Sequence, residues 1–317
     1  MDAIIAVEHL TKRYKKAATP AVDDVSFSVA PGELFAFLGP NGAGKTTTIS
    51  ILTTTLAKTS GTVTIAGHDL DRDTAAVRRE IGIIFQKPSI DTHLSGEENI
   101  RLHVALYGVY GYRPFYRAMP AEYRQRIEHL ADVVGLGSDL FRPLKTFSGG
   151  MTRKLEIVRS LMHRPAVLFL DEPTSGLDPI SRRGLWDYLR EVRNQDGTTV
   201  FLTTHYLDEA EEADRVCVID HGKVAVDATP DELKHRLLER SLVVDAGDRA
   251  ALRAELVALG LAPVDEAGGG LRVEYRTPTA QDVIARIRTP LTVLRIREPS
   301  LEEAYIELLR DPEEAVA

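Results

Sequence analysis

The chain has 317 residues, of which 44% are hydrophobic, so it is long enough to bury a sizeable core and to form more than one domain. Its 47 acidic and 39 basic residues leave a formal net charge of −8, which argues against a nucleic-acid partner. The single cysteine, Cys217, excludes an internal disulfide and is expected to be an inert buried thiol because its neighbours are apolar.

Two kinds of membrane segment are not expected. The N-terminal stretch "MDAIIAVEHLTKRYKK" lacks the apolar core of a signal peptide. No apolar run approaches the roughly 18 residues that a membrane-spanning helix needs. Any role at a membrane is therefore expected to depend on another chain.

Strand and helix patterns alternate over most of the chain, which predicts an α/β fold. The segment 96–163 is helical throughout and interrupts this alternation, so we expect a helical insert. His221 and Gly222 predict the turn of a hairpin. Strand patterns lie near 3–8, 24–30, 33–38, 62–66, 81–85, 167–171, 198–204, 215–220 and 223–227. Helical patterns lie near 45–57, 74–79, 96–108, 120–135, 152–163, 181–195, 207–213 and 230–240.

The stretch "GPNGAGKTTT" at 39–48 lies between a predicted strand and a predicted helix. It matches the pattern G-x-x-x-x-G-K-[ST], in which backbone N–H groups and the positive end of the helix bind phosphates. Lys45 is predicted to reach the β- and γ-phosphates, and the Thr46 hydroxyl to bind magnesium. These features predict a nucleoside triphosphate site, and they leave open what the energy is used for.

A second acidic motif is expected to complete this site. The stretch "AVLFLDEP" at 166–173 is a buried strand that ends in two carboxylates, and a charge there is costly without a partner. Asp171 is placed to hold Mg²⁺. Glu172 is free to polarise an attacking water as a general base.

Four further motifs identify a family. "GIIFQKP" lies at 82–88, "FSGGM" at 147–151, "LDEPTSGLD" at 170–178 and "LTTHYLDEAEEADRV" at 202–216. This set, in this order, resembles the ATP-binding subunits of ABC transporters over residues 3–240. The resemblance implies an ABC-type P-loop ATPase core in a domain over residues 1–240.

The resemblance also implies roles for the matching residues. Tyr14 would stack on adenine, unless it is simply an exposed tyrosine among lysines. Gln86 would contact Mg²⁺ and water and relay the nucleotide state to a membrane subunit. Asp178 would lie at a dimer seam, and His205 would contact the γ-phosphate. The nucleotide-binding residues implied are Tyr14, Gly39, Pro40, Asn41, Gly42, Ala43, Gly44, Lys45, Thr46, Thr47, Ser148, Gly149, Gly150 and Asp178, the catalytic residues Glu172, His205 and Gln86, and the magnesium ligands Thr46, Gln86 and Asp171.

The stretch "FSGGM" is a second helix start with exposed N–H groups that attract anions. If it served the same phosphate as Lys45, it would have to reach across a large fold. The family's solution is a head-to-tail dimer in which each such signature closes on the partner's ATP. Phe147 and Met151 depart from the usual leucine and glutamine, which puts in doubt any polar contact that the glutamine makes.

The segment 241–317 is expected to form a second domain. Its patterns follow the order βαββαβ with one added helix, which predicts a small α+β domain of the ferredoxin-like kind. The final "PSLEEAYIEL" resembles the drug- and antibiotic-export branch of the family. This domain is interpreted as an accessory element that steadies the dimer or the last helix, with regulatory ligand binding as the alternative.

An aromatic stretch lies within the insert. Packing or contact with a membrane subunit is our preferred interpretation, with local core as the alternative, since the acidic chain argues against nucleic-acid stacking. Its residues are Tyr107, Tyr110, Tyr112, Tyr116 and Tyr123, together with Arg113 and Arg117.

These observations predict the ATPase subunit of an exporter, with ATP and Mg²⁺, which works as a homodimer with a separate membrane permease at the cytoplasmic face of the membrane. An ABC importer subunit remains an alternative. Another is a soluble ABC ATPase acting on ribosomes or DNA, although the chain has one phosphate loop and no sustained heptads. A module that senses ATP without hydrolysing it is disfavoured because both Glu172 and His205 are present.

Overall fold

The computed structural model describes residues 3–86, 89–175, 177–237, 240–266, 269–275, 279–297 and 300–309. The chain divides into two compact units, one ending at Asp227 and the other beginning at Ala228. The helix Pro230–Leu237 therefore lies in the second unit, whereas the predicted boundary after residue 240 assigns it to the first.

The larger sheet of the first unit is six-stranded and carries the predicted nucleotide motifs. Its order is β10-β9-β3-β8-β7-β6, and the described pairings among β9, β3, β8, β7 and β6 are all parallel. Every residue of β3 and β7 is buried, as expected of central parallel strands covered on both faces. The strands of this sheet are β3 (Leu34–Leu38), β6 (Ile81–Ile84), β7 (Val167–Asp171), β8 (Thr199–Thr204), β9 (Arg215–Asp220) and β10 (Lys223–Ala228).

A four-stranded sheet with the order β2-β1-β4-β5 packs against the first, and its described pairings are antiparallel. Its Phe27 ring lies 5.5 Å from that of Phe35, 5.4 Å from that of Phe37 and 5.9 Å from that of Phe201. These phenylalanines join the two sheets in one apolar core. The strands are β1 (Ile5–Lys12), β2 (Val22–Val29), β4 (Ser60–Ile65) and β5 (His68–Asp69), of which β5 was not predicted.

The helices of the first unit follow the predicted order. The helix predicted over 45–57 ends at Leu52, because the Thr53 hydroxyl donates to the Ile49 carbonyl and Thr54 adopts φ 61°. The helices of the first unit are α1 (Lys45–Leu52), α2 (Thr74–Glu80), α3 (Gly96–Leu106), α4 (Ala121–Val133), α5 (Gly149–Leu161), α6 (Pro179–Asp196) and α7 (Leu207–Glu211).

The helical insert is confirmed as α3, α4 and α5, but it is not helical throughout. Residues 107–115 contain no helix, and three 3-10 turns complete the insert, at Tyr116–Ala118, Gly137–Phe141 and Leu144–Thr146. The glycines at 108 and 111 and the proline at 114 explain the interruption, because neither residue type favours a helix interior.

The predicted hairpin is present between β9 and β10. His221 has φ 46° and Gly222 has φ 80°, the positive values that a two-residue hairpin turn requires. Cys217 lies in β9 and is fully buried, and burial raises the pKa of its thiol, as expected of an unreactive cysteine.

The second unit is ferredoxin-like, as predicted. Its sheet has the order β12-β13-β11-β14 with antiparallel pairings, and its own apolar core includes Leu242, Leu252 and Val273. Its elements are α8 (Pro230–Leu237), β11 (Arg240–Ala246), α9 (Arg249–Ala258), β12 (Val264–Asp265), β13 (Leu271–Tyr275), α10 (Ala280–Arg286), β14 (Leu291–Arg297) and α11 (Leu301–Leu309). Within the described residues of the two units, no helix combines the length and apolarity needed to cross a membrane.

Candidate functional site

The phosphate-loop motif connects the central strand β3 to the start of α1. Gly44 has φ 110°, and a Cβ atom there would lie 2.5 Å from the Ala21 carbonyl oxygen. A Cβ at Gly39 would lie 2.3 Å from the Ile219 carbonyl oxygen. Both positions therefore require glycine, one for conformation and close approach and the other for close approach alone.

The neighbouring hairpin turn braces this loop. The Gly222 N–H donates to the Ala43 carbonyl at 3.0 Å, and the Gly222 carbonyl accepts from Asp23 N–H at 2.8 Å. Because β9 pairs with β3, the turn after β9 is held beside the loop that follows β3. Backbone contacts from outside the loop thus help to fix its position.

Lys45 is the cation of the site. Its side chain is 5% exposed, and Nζ donates to the carbonyls of Gly39 at 2.7 Å and Pro40 at 3.1 Å. Burial lowers the pKa of this ammonium, while the negative charges of Glu172 and Asp171 act in the opposite direction. The hydrogen bonds described for this buried cation go to neutral carbonyls on its own loop, so it is well placed to exchange them for phosphate oxygens.

Tyr14 is brought to the same place by the end of β1. Its hydroxyl lies 3.4 Å from the Thr47 Oγ1, and Lys12 Nζ lies 5.4 Å from the centre of its ring. The residue is 45% exposed. An aromatic face beside the first turn of α1 fits the predicted adenine contact, and this role stays a prediction.

The two carboxylates at the end of β7 have different surroundings. Asp171 is 6% exposed, and its Oδ1 accepts from Thr203 Oγ1 at 2.6 Å. Burial raises the pKa of Asp171, and the Thr203 hydrogen bond opposes this shift. Glu172 adopts φ 45°, a left-handed conformation that costs a non-glycine residue about 1–3 kcal/mol. Its N–H donates to the Thr203 carbonyl at 3.1 Å, which helps to hold that conformation.

The carboxylate of Glu172 joins two residues that are far apart in sequence. Gln86 Nε2 donates to its Oε2 at 2.9 Å, and His205 Nδ1 lies 3.2 Å from its Oε1. Gln86 follows β6 and His205 follows β8, so the ends of three parallel strands bring the three side chains together. This is the carboxyl edge of the sheet, where ligands of parallel α/β folds bind.

The signature begins α5, as predicted. Ser148 is the N-cap residue, and its hydroxyl accepts from Met151 N–H at 3.2 Å. Gly149 is exposed, and a Cβ there would meet nothing within 4 Å. Met151 therefore contributes its backbone to the cap, so this contact does not need the glutamine that is usual at its position.

The predicted residues thus form two adjoining groups and two separate segments. The phosphate loop and Tyr14 form the first group, and the second consists of Gln86, Asp171, Glu172 and His205. The two groups adjoin, because the negative charges of Asp171 and Glu172 raise the pKa of Lys45 against the effect of burial. Ser148 hydrogen-bonds within its own segment, as does the Asp178 side chain, which accepts from Ile180 N–H at 3.0 Å.

Sequence reasoning missed the residues that support this site. Thr203 anchors both carboxylate residues. Arg153 of α5 donates to the carbonyls of Asp171 and Pro173, and it belongs to a buried charged set with Glu156 and Arg159. The available signal was charge at spacings of three on a helix that is otherwise apolar on the same side.

The aromatic stretch of the insert divides between core and surface. Tyr123 is fully buried and donates to Glu97 at 3.0 Å. Tyr112 and Phe115 are 60% and 71% exposed. Local core therefore describes Tyr123, whereas contact of the exposed residues with a membrane subunit stays a prediction.

Comparisons with known proteins agree with the family resemblance that these motifs indicate. Residues 22–175 match the family model described as "ABC transporter". The chain is 35% identical over 331 residues to the doxorubicin resistance ATP-binding protein DrrA of Mycobacterium tuberculosis, covering 99% of this chain and 96% of that protein. It is 40% identical over 318 residues to the daunorubicin/doxorubicin resistance ATP-binding protein DrrA of Streptomyces peucetius, covering 97% and 93%. Among solved structures, the dimeric ATP-binding cassette MJ0796 bound to ADP and Pi is similar with a TM-score of 0.62 and 26% identity, covering 71% of this chain and 98% of that one.

Proposed function

Because the chain belongs to the ABC transporter family of ATP-binding proteins, we propose that it is the ATP-hydrolysing subunit of an exporter and works through separate membrane subunits. One observation carries the hydrolytic part of this proposal. The Glu172 carboxylate lies between Gln86 and His205, beside the buried Asp171 and within the electrostatic influence of Lys45. A module that only sensed ATP would have no need of this arrangement.

Nucleotide binding falls to the phosphate loop. Backbone N–H groups over residues 39–47 would surround the phosphates, and Lys45 would leave its two loop carbonyls for phosphate oxygens. Tyr14 would stack on adenine, which its exposure and its position beside Thr47 support.

The chemistry of the predicted ligands fits Mg²⁺. The Thr46 hydroxyl, the Gln86 amide oxygen and the Asp171 carboxylate are hard oxygen ligands. Nowhere in the described parts of the chain do three or more His, Cys, Asp or Glu residues form a metal-binding group, and Mg²⁺ beside a nucleotide needs only one or two carboxylates. When bound, the ion would neutralise charge on the phosphate oxygens.

Glu172 is the residue proposed to act on water. Its side chain is 14% exposed, so the carboxylate is accessible yet held at both oxygens. It would accept the proton of a water aimed at the γ-phosphate. His205 would orient the carboxylate and contact the phosphate, and Gln86 would hold the other carboxylate oxygen until nucleotide arrives.

The ATPase is proposed to act as a head-to-tail homodimer. The structural relative MJ0796 is described as dimeric, and Ser148 and Gly149 are exposed at a helix start that attracts anions. Each signature would then close on the γ-phosphate held by the partner, with Asp178 at the seam. ATP binding would close the dimer, and hydrolysis would reopen it.

A mixed dimer tests this arrangement. Ser148→Arg should spare ATP binding but abolish hydrolysis, and Lys45→Ala should abolish ATP binding. A dimer of one Ser148→Arg and one Lys45→Ala subunit has one site with both lesions and one with neither. This dimer should regain hydrolysis that neither parent shows. Normal hydrolysis by Ser148→Arg alone, or no dimerisation with ATP, would contradict the head-to-tail model.

The transported compound is proposed to resemble those of the relatives. Their names describe resistance to doxorubicin and daunorubicin, so a drug, antibiotic or lipid-like compound is the expected class. The chain would lie at the cytoplasmic face of the membrane, bound to the permease through the exposed Leu106, Tyr112 and Phe115 of the insert. The second unit is proposed to be an accessory domain that steadies the dimer.

Co-purification tests the transport function. The chain should bind a multi-span membrane protein encoded beside its gene. Compounds that are exported should stimulate ATP hydrolysis by the reconstituted complex. Stimulation only with a solute-binding protein would instead indicate an importer.

A further inference from the structure

Helix α5 lies along an open edge of the six-stranded sheet. Strand β6 is the last strand in the order, and the carbonyls of alternate residues along this edge accept side-chain hydrogen bonds. Ser160 Oγ donates to Ile83 O at 3.0 Å, and His163 Nε2, just after the helix, lies 3.0 Å from Ile81 O. Side chains of the α5 segment thus take the place of a neighbouring strand, which fixes the helix relative to β6.

Arg153 continues this series at the catalytic end of the strand. Its Nη1 donates to the Phe85 carbonyl at 2.5 Å, directly before Gln86. Its Nε donates to Pro173 O at 3.0 Å and its Nη2 to Asp171 O at 3.3 Å, on either side of Glu172. One buried guanidinium therefore holds the backbone next to both residues whose side chains meet in the site.

Glu156 holds Arg153 directly, and Arg159 lies on the other side of Glu156, 3.9 Å from its Oε1. Glu156 is fully buried; its Oε2 accepts from Arg153 Nη1 at 3.2 Å and its Oε1 from Ser89 N–H at 3.0 Å. Arg159 donates to the Ser89 carbonyl at 2.5 Å and to the Ser89 hydroxyl at 3.0 Å. The same set thus binds the chain before and after Gln86, at Phe85 and at Ser89.

Stability alone does not account for buried charges of this kind. Desolvation offsets much of the attraction within a buried ion pair, and well-packed apolar residues of similar volume are often as stabilising. The planar guanidinium makes directional hydrogen bonds, because its N–H donors have a fixed relative geometry that a lysine ammonium lacks. The set is therefore suited to fixing geometry.

We propose that Arg153, held by Glu156, is a positioning residue that sets Gln86 against Glu172 and ties both to α5, the helix capped by Ser148. This inference rests on the proposed ATPase function. It adds a connection within one chain: the segment that contacts the partner's nucleotide is bonded to the backbone that positions the chain's own hydrolytic residues. Arg153 acts through the backbone carbonyls of Phe85, Asp171 and Pro173.

Replacement of Arg153 by lysine tests the inference. Arg153→Lys keeps the charge beside Glu156 but cannot reach three carbonyls at once. We expect kcat for ATP hydrolysis to fall about 10- to 100-fold, the scale of a misplaced catalytic group. KM and the affinity for a fluorescent ATP analogue should stay close to wild type. The midpoint of thermal unfolding should fall, because buried carbonyls lose a donor, but should remain above the assay temperature. Arg142→Lys is the matched control. Arg142 is an exposed residue of the insert, and the ion pair described for it joins its Nη1 to Asp139 Oδ1 at 2.7 Å. This variant should leave kcat, KM, nucleotide affinity and the unfolding midpoint unchanged.

A double-mutant cycle separates positioning from general destabilisation. In a Gln86→Ala background, Arg153→Lys should reduce kcat by a smaller factor than in wild type, because one of the groups it positions is gone. Equal factors in the two backgrounds would overturn the inference, as would a wild-type kcat for Arg153→Lys or a loss of nucleotide affinity in step with kcat. If Arg153→Lys fails to fold, Glu156→Gln decides by the same criteria, since an amide cannot accept from both Arg153 and Ser89. Absence of ATP hydrolysis by the wild-type chain would instead count against the proposed function.

Discussion

Thr203 offers a measurable test of the electrostatics at the end of β7. Its hydroxyl is fully buried, donates to Asp171 Oδ1 at 2.6 Å and lies 3.2 Å from the Glu172 nitrogen. Thr203→Val keeps the branched shape and removes the hydroxyl. The Asp171 carboxylate, 6% exposed, then loses a hydrogen-bond donor. Hydrogen bonds to charged groups contribute about 1.5–3 kcal/mol, so we expect the free energy of unfolding to fall by about 2 kcal/mol at pH 8.

The loss should depend on pH in a defined direction. Burial raises the pKa of Asp171 in the folded chain above its unfolded value, so the cost of the buried charge is greatest at high pH and is relieved as the group takes a proton. Removing Thr203 Oγ raises this pKa further. The destabilisation by Thr203→Val should therefore be smaller at pH 5 than at pH 8.

Urea unfolding with a chelator present, at both pH values, measures the effect without bound metal. Thr199→Val is a matched control on the same strand: its hydroxyl is also fully buried but accepts from the neutral Gly32 N–H at 2.9 Å. It should cost about 1 kcal/mol at both pH values. Equal and pH-independent losses for the two variants would refute the assignment of Asp171 as a buried carboxylate that depends on Thr203.

Three further outcomes follow from other contacts. Tyr14→Ala should weaken ATP binding by about 1–2 kcal/mol in a fluorescence titration and Tyr14→Trp should be tolerated, whereas an unchanged affinity for the alanine variant would place the adenine contact elsewhere. Burial lowers the pKa of His103 to about 3, so below pH ~6.5 the unfolded chain binds a proton that the folded chain does not. His103→Phe should therefore reduce the loss of unfolding free energy between pH 7 and 5 by up to about 1 kcal/mol per pH unit. An unchanged dependence of the unfolding free energy on pH would contradict this. A chain ending at Asp227 should remain monomeric in size-exclusion chromatography more readily than one ending at Arg240, because the fully buried Leu233 lies in a helix that packs on α11; equal aggregation would argue against the division at Asp227.

Local patterns were sufficient for most of the architecture. Continuous apolar runs such as Leu34–Leu38 and Val167–Asp171 predict buried parallel strands, and the glycine loop and the acidic strand end predict neighbouring halves of one site. The two-residue strand His68–Asp69 was missed because so short a segment has no period. Such a strand exists only through its pairing with Ser60–Ile65.

The support of the site could not be predicted in the same way. Arg153 is an ordinary charged helix residue in the sequence, and only the packing of α5 on β6 places it against three backbone carbonyls. Thr203 is equally unremarkable within "FLTT", and its importance comes from the parallel pairing of β8 with β7. Contacts of this kind depend on tertiary neighbours, which a single sequence does not reveal.

Turnover by Glu172→Gln tests the proposed role of Glu172 as general base most directly. Purified wild-type and variant chains would be compared for phosphate release at saturating Mg-ATP and for binding of ATP and ATP-dependent dimerisation. We predict that the variant binds ATP and accumulates as a closed dimer, while its kcat falls at least about 100-fold, the contribution expected of a general base. Turnover near that of the wild type, with ATP binding intact, would contradict the assignment of Glu172 as the residue that activates water.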